Sequence, residues 1–156
     1  MRAAERRRMT SQEMVTWRSL IDTTAELRRR LAAQLAADSG LSPGDYAVLL
    51  ALSEARDRRL RSSELAAAID WERSRLSHHL ARMEKRGLIT RVEYATDSRG
   101  AEVVLTENGA RTFRASTGPH MSAVKKHFGD ALTPEQFASL DDILSTLRDH
   151  LGTGGD

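Results

Sequence analysis

The sequence predicts a mainly α-helical fold with a small β-hairpin wing, and three observations lead to this prediction. Apolar residues recur at helical spacing through most of the 156-residue chain, with capping residues where the segments begin. Two short helical segments, residues 63–69 and 72–86, are joined by a tight turn, as in a helix-turn-helix. The pattern then changes to strand alternation over residues 88–105, where a winged helix carries its wing. We therefore predict a winged helix-turn-helix with N- and C-terminal helices that form an α-helical dimerisation region.

The chain begins with residues 1–10, a basic segment that we predict to be a flexible tail. Residues 11–40 follow as a helix whose apolar stripe needs a partner, so we expect a dimerisation helix. A second helix starts at Ser42, which is placed as the N-cap. Pro43 suits its first helical position, and Asp45 completes a capping box.

The predicted winged helix-turn-helix domain covers residues 41–105. After its first helix comes a polar link of four arginines over residues 56–61. Ser62 is expected to cap the first helix of the pair, and Gly87 to end the second in the left-handed conformation. The predicted strands and the polar turn between them are residues 88–94, 101–105 and 95–100.

Two helices are predicted after the hairpin, over residues 106–151, and we expect them to complete the dimerisation region. Thr106 is expected to cap the first of them, in which Gly118-Pro119 is a candidate break. Residues 133–136 read as a capping box that starts the last helix. The apolar residues of this helix that we expect to face inward are Phe137, Leu140, Ile143, Leu144, Leu147 and Leu151. Residues 152–156 are predicted to be a disordered tail.

The composition excludes several classes of function. The chain has 24 lysines and arginines against 22 acidic residues, and it has no cysteine. Without cysteine there is no disulfide, no thiolate metal ligand, no thiol nucleophile and no thiol redox sensor. The longest apolar run, residues 46–52, is far shorter than the roughly 18 residues of a membrane span. No apolar stretch follows the N-terminal arginines, as a secretory signal requires. We therefore expect a soluble cytoplasmic protein with no membrane partner.

The helix over residues 72–86 has a strongly cationic exposed face. Leu76, Leu80 and Met83 recur at helical spacing and define its buried side. Arg75 lies near the start of the helix, where it is placed to reach a guanine edge. The other side chains of this face that we expect at DNA are Ser74, Ser77, His78 and Arg82. Such a face is typical of a helix that enters the major groove. A solvated basic face, or an arginine excess that reflects a GC-rich coding sequence, is the alternative explanation.

The turn of the hairpin offers a second candidate contact. Arg99 stands at its tip and can enter the narrow minor groove, where the negative potential is strongest. Asp97 is two residues away and can hold the guanidinium in place by a bidentate ion pair. The alternative is an exposed turn with a local ion pair.

The chain resembles the MarR family of winged helix-turn-helix transcriptional regulators, and the resemblance extends over residues 11–151. The motifs that carry it are Ser-Glu-Leu-Ala at 63–66, Ser-Arg-Leu-Ser-His-His-Leu at 74–80, Arg-Met-Glu-Lys-Arg-Gly-Leu-Ile-Thr-Arg at 82–91, Asp-Ser-Arg-Gly at 97–100 and Leu-Thr-Glu-Asn-Gly at 105–109. The resemblance implies a homodimer on a palindromic operator in double-stranded DNA, with one helix in the major groove and the wing in the minor groove. The resemblance implies that the residues in contact with DNA are Arg73, Ser74, Arg75, Ser77, His78 and Arg99.

The resemblance also implies a repressor that a small, often phenolic, acid releases from DNA. Its cysteine-based peroxide-sensing branch is excluded, because the chain has no cysteine. We expect such an effector, and the candidate pocket residues are Trp17, Arg18, Ile21, Tyr46 and His120. An arginine there can pair with a carboxylate, and an indole can stack on an aromatic ring. The alternative is that Trp17 and Ile21 form the core of a helix interface and that His120 is structural.

Other functions find little support in the sequence. No histidines are spaced to chelate a metal on one helix face, so no metal and no cofactor are predicted. We find no nucleophile–base constellation and no glycine-rich phosphate loop, so we do not expect an enzyme. A ligand-binding or partner-binding dimer without specific DNA binding, and a regulator that activates, remain as alternatives.

Overall fold

The computed structural model describes residues 7–93 and 101–153, and it has the predicted mainly α-helical architecture with a small antiparallel sheet. The elements in chain order are α1 (Ser11–Ser39), α2 (Pro43–Glu54), β1 (Arg59–Arg61), α3 (Ser62–Ala68), α4 (Arg73–Lys85), β2 (Ile89–Val92), β3 (Glu102–Leu105), α5 (Glu107–His127) and α6 (Pro134–Leu151). They fall into two compact units. One is residues 28–121, and the other is made of the described residues before 28 and after 121.

Hydrogen-bonded caps begin three helices where the sequence predicts them. At α2, the Ser42 hydroxyl accepts from the Asp45 amide at 3.1 Å, and the Asp45 carboxylate accepts from the Ser42 amide at 2.9 Å. Thr133 and Gln136 form the same reciprocal pair at α6. At α5, the Thr106 hydroxyl accepts from the backbone amide three residues on, at 2.9 Å. These short-range predictions are confirmed.

Two helix starts differ from the prediction. A capping box that the sequence analysis missed begins α1, where Thr10 and Glu13 exchange hydrogen bonds of 3.1 and 2.7 Å. Ser62, predicted as the cap of α3, is instead its first residue, and its hydroxyl donates to the Ala101 carbonyl at 2.7 Å. That hydroxyl ties the start of the helix-turn-helix to the wing, and the N-cap position itself is occupied by Arg61.

The sheet of the described residues has three strands in the order β1–β3–β2, all antiparallel. The prediction of a polar link over residues 56–61 is therefore wrong for β1, which pairs with β3 and places Leu60 opposite Val103. Only Leu60 of this strand turns inward, between two exposed arginines. Three residues are too few for an alternating pattern to be recognised in the sequence.

The wing strands pack one face on the core of residues 28–121. Ile89 of β2 and Val103 of β3 are fully buried, whereas Thr90 and Val92 are exposed. The fully buried leucines and methionine of the three-helix core are Leu49 and Leu52 from α2, Leu65 from α3, and Leu76, Leu80 and Met83 from α4. The helix-turn-helix is thus held on one side by α2 and on the other by the sheet.

The candidate break in α5 does not form, because the helix continues through Pro119. Proline normally clashes with the Cβ of a helical residue before it, and Gly118 has no Cβ. The hydroxyls of Ser116 and Thr117 donate to carbonyls three residues earlier, at 2.7 and 2.9 Å.

The unit formed by the chain ends exposes its apolar residues. No residue of α6 is buried in the single chain, so the predicted inward-facing side has no core of its own to cover it. Ile143, Leu144, Leu147 and Leu151 are all exposed, Leu151 at 71%. Gly152 ends the helix in the left-handed conformation. None of the helices in the described ranges carries an apolar stretch long enough to cross a bilayer.

Candidate nucleic-acid interface

Helix α4 begins after a sharp turn that separates it from α3. Asp70 takes a positive φ of 54°, and the Trp71 amide donates to the Ala66 carbonyl at 2.9 Å. Leu76, Leu80 and Met83 then face the core, as predicted. The structure places all the α4 side chains that we predicted at DNA on the exposed side: Arg73, Ser74, Arg75, Ser77, His78 and Arg82.

Arg75 does not extend freely into solvent. Its guanidinium carbon lies 3.8 Å from the centre of the Trp71 ring, a cation–π contact. Trp71 in turn meets the His79 ring edge to face, with ring centres 5.1 Å apart. Arg75, the arginine predicted to read a base, therefore packs on Trp71, and Trp71 packs on His79.

His79 is buried beside the core stripe of α4 and lies next to Arg75 and Arg82 around the helix, although no role was predicted for it. Its Nδ1 accepts a hydrogen bond from Arg82 at 3.2 Å, and its Nε2 lies 2.9 Å from a carboxylate oxygen of Asp45. Burial lowers the pKa of His79 below its ordinary value, although the Asp45 carboxylate acts in the opposite direction. The imidazole is accordingly neutral near pH 7. The Arg82 guanidinium therefore donates to this ring while the side chain remains exposed.

Asp45 anchors α4 to α2 at the far end of the recognition surface. Its carboxylate accepts from Arg86 at 2.7 Å, and Arg86 also donates to the Gly40 carbonyl at 2.9 Å. Burial by itself would raise the pKa of Asp45. The hydrogen bonds from Arg86 and from the Ser42 backbone outweigh it, so the pKa is lowered. The carboxylate is therefore ionised, and each of its two oxygens has a polar partner.

The single carboxylate of α4, Glu84, is neutralised by the wing. It accepts from the backbone amide of Arg91 at 2.7 Å and from the guanidinium at 3.1 and 3.2 Å. The backbone hydrogen bond and the ion pair lower the pKa of Glu84.

A groove of about 460 Å³ runs between the start of α3, helix α4 and the base of the wing, and Arg73 and Ser77 line it. Asp97 and Arg99, predicted at the wing tip, lie outside the described residues.

A second cavity, of about 520 Å³, has an apolar lining with arginines. Tyr46 and His120 line it as predicted, with ring centres 4.5 Å apart. The other lining residues are Arg28, Arg29, Leu31, Ala32, Leu35 and Pro43. Burial raises the pKa of Tyr46. The Nδ1 atom of His120 is buried and makes no hydrogen bond within the described residues.

Three of the predicted pocket residues, Trp17, Arg18 and Ile21, do not line this cavity. The α1 residues that do begin at Arg28, seven positions after Ile21, which is about 10 Å along a helix. The structure thus brings two of the five candidate residues together in this cavity and does not bring the other three to it. Arg28, which the sequence analysis did not select, takes the place that we expected for Arg18. No three potential metal ligands cluster in the described part of the chain.

The residues that the sequence analysis missed at the recognition surface are Trp71, His79 and the pair of Asp45 and Arg86. One signal was present, because position 79 falls on the same helical stripe as Leu76, Leu80 and Met83. The contact of Asp45 with Arg86 joins residues 41 positions apart, and spacing carries no information on such a contact.

Comparison with known proteins agrees with this architecture. A model of the MarR family matches residues 39–100. The crystal structure of Sco3205, a MarR family transcriptional regulator from Streptomyces coelicolor in complex with DNA, is 38% identical with a TM-score of 0.84 and covers 96% of this chain and 93% of its own. That of AbsC, a MarR family transcriptional regulator from the same organism, is 37% identical with a TM-score of 0.81, over 93% and 97% of the two chains.

A curated relative gives the same assignment. The HTH-type transcriptional repressor YetL of Bacillus subtilis is 26% identical over 114 residues, which are 71% of this chain and 68% of that protein. These relatives are transcriptional regulators and not enzymes, as we expected of this chain. Since the likeness to Sco3205 exceeds 30% identity over nearly the full length of both chains, this chain belongs to the MarR family of transcriptional regulators.

Proposed function

We propose that this chain is a transcriptional repressor that binds a palindromic operator as a homodimer and leaves it when a small aromatic acid binds. One observation carries the proposal. Helix α4 exposes four cationic side chains, and its only carboxylate is held by Arg91. The face left toward solvent is therefore positive, and phosphate backbones attract such a face.

The proposed DNA contacts follow from this face. Helix α4 enters the major groove, where Arg75 donates to a guanine edge. Its remaining exposed side chains bind bases and phosphates, and these are Arg73, Ser74, Ser77, His78 and Arg82. Arg99, supported by Asp97, enters the minor groove beside it. Sco3205, at 38% identity, is a relative whose structure was solved in complex with DNA, which supports this arrangement.

The proposed dimer uses residues 11–40 and 106–151. Exposed apolar side chains on both chain ends support this proposal, among them Trp17, Ile21 and Ile143. Exposed apolar side chains in such number are costly in water and are typical of a protein interface. Two-fold symmetry of the dimer then requires two-fold symmetry of the operator. YetL supports the direction of control, because that relative is a repressor.

The proposed effector site is the cavity beside Tyr46 and His120. An aromatic acid fits its chemistry, because aromatic and aliphatic side chains line it together with Arg28 and Arg29. A bound carboxylate would pair with an arginine, and a ring hydroxyl would donate to Nδ1 of His120, which has no hydrogen bond from the residues that the structure describes. The cavity lies between α1 and α2, and α2 is joined to α4 through Asp45.

The test is a fluorescence anisotropy titration with labelled duplexes tiled across the DNA that flanks the coding sequence. We expect one inverted repeat, with half-site centres about one helical turn apart, to bind at least about 1,000-fold more tightly than its scrambled version at the same salt. Benzoate and salicylate should weaken that complex, with cyclohexanol as a neutral control. Equal affinity for every duplex would overturn the proposal.

A further inference from the structure

The contact between Trp71 and Arg75 has a consequence for DNA recognition that rests on the proposed function. An arginine that reads a base must give up most of its side-chain freedom, which costs free energy at the moment of binding. In this chain the guanidinium already lies 3.8 Å from the indole before any DNA is present. Part of that ordering has therefore taken place in the free protein.

The contact leaves the arginine able to bind a base. A guanidinium attracted to the face of an aromatic ring uses its positive charge and not its hydrogen-bond donors. Arg75 is exposed, and the described residues offer it no ion pair or hydrogen bond. Its donor edge is therefore available for the two acceptors of a guanine.

The indole itself is held firmly. His79 meets it edge to face, and His79 is fixed by Asp45 on one side and Arg82 on the other. Gly44 of α2 closes the site from beneath, because a Cβ at that position would lie 2.7 Å from Cη2 of Trp71. The backbone amide of Trp71 is bonded to α3 at 2.9 Å. The ring has little space in which to move.

We propose that Trp71 is a positioning residue for base recognition, which holds the Arg75 guanidinium ready for the major groove without touching DNA itself. Arg73 provides the comparison, because it is also an exposed arginine of α4, lies about 200° around the helix from Arg75, and contacts no aromatic ring among the described residues. A purely structural Trp71 would support both arginines equally. A positioning Trp71 supports Arg75 alone.

The first measurement uses the free protein. Nuclear magnetic resonance of the arginine side chains should show Arg75 protons shifted upfield by the ring current of the indole, and Trp71→Leu should abolish that shift. An unshifted Arg75 in the wild type would overturn the inference without any DNA experiment.

The second measurement is a double-mutant cycle on operator binding, with a scrambled duplex as reference. Trp71→Leu should weaken operator binding about 3- to 30-fold, as loss of a cation–π contact does, and leave scrambled binding unchanged. The loss should vanish in an Arg75→Ala background and persist in an Arg73→Ala background. Trp71→Phe, which keeps an aromatic face and serves where leucine prevents folding, should lose less and follow the same pattern.

The outcomes separate the two proposals. A wild type that prefers the operator, but in which Trp71→Leu weakens binding equally with and without Arg75, overturns the positioning role and leaves the proposed function intact. A wild type that binds operator and scrambled duplexes alike overturns the proposed function, and the role of Trp71 with it.

Discussion

The Nε2 atom of His79 lies 2.9 Å from Oδ1 of Asp45, so the buried side of α4 is joined to the first turn of α2. The same carboxylate accepts hydrogen bonds from Ser42 and Arg86, and it is only 3% exposed. The Asp45 carboxylate thus caps α2 and also contacts the side chains of His79 and Arg86, in and directly after the helix proposed to read DNA. The contacts between α2 and α4 therefore include two titratable groups, His79 and Asp45.

We predict that acidification destabilises the fold through His79. Its pKa is lower in the folded chain than the ordinary value of 6.5, because burial disfavours the charged ring. The folded state then binds that proton less tightly than the unfolded state. This stability is complete above about pH 6.5 and is lost as the pH falls through the folded pKa. Protonation of Asp45, whose pKa is also lowered, acts in the same direction below its own ordinary value of 3.8.

Urea unfolding between pH 7.5 and 5.0 measures this dependence. His79→Gln should flatten the decline in unfolding free energy over that range, whereas His78→Gln, at the exposed neighbouring position, should keep the wild-type slope. A wild-type slope in His79→Gln would contradict the prediction.

Arg75→Ala should weaken operator binding by about 1–3 kcal/mol and relax the preference at one base pair, because a bidentate contact with a guanine is lost. Anisotropy titrations against operators mutated one base pair at a time measure both effects. Lys85→Ala, at the other end of α4, is the comparison and should weaken operator and scrambled duplexes alike. An unchanged affinity in Arg75→Ala would exclude the base contact.

The wing arginine should behave differently. Arg99→Ala is expected to lower affinity almost equally on all sequences and to reduce the slope of log affinity against log salt by about 1, because a minor-groove cation releases counterions. Titrations from 50 to 200 mM salt give the slope. Ser98→Ala removes the hydroxyl of a neighbouring uncharged side chain and should leave the salt slope unaltered. A salt slope that survives in Arg99→Ala would rule out this role of the wing.

The signals that could be read from the sequence are those that act within a few residues. The Ser42 and Asp45 capping box was predictable because three residues determine it. Strand β1 was not, since Leu60 alone turns inward and its partner Val103 is 43 positions away. His79 had the spacing of a buried residue, but its imidazole reads equally as a DNA contact or a core group until Asp45 is placed beside it.

Gly109, in the first turn of α5, should tolerate no side chain. A Cβ there would lie 2.0 Å from the Leu88 carbonyl oxygen and 2.8 Å from Leu105, so the helix would have to move off the wing sheet. Gly109→Ala should lower the unfolding free energy by about 1–3 kcal/mol or more. Gly129→Ala is the matched control, because its Cβ would meet only Lys125 at 3.7 Å. Equal urea midpoints for the two variants would contradict the close approach.

The exposed apolar face of α6 should be the part of the proposed dimer most sensitive to charge. Leu144→Asp would place an unpaired carboxylate in a buried interface, which is strongly unfavourable. We expect a monomer in sedimentation velocity at about 10 µM, together with loss of operator binding, because one half-site contact supplies too little affinity. Leu50→Asp introduces the same charge on α2 at another exposed leucine and should remain dimeric. If Leu144→Asp sediments as a dimer, this face of α6 does not form the interface.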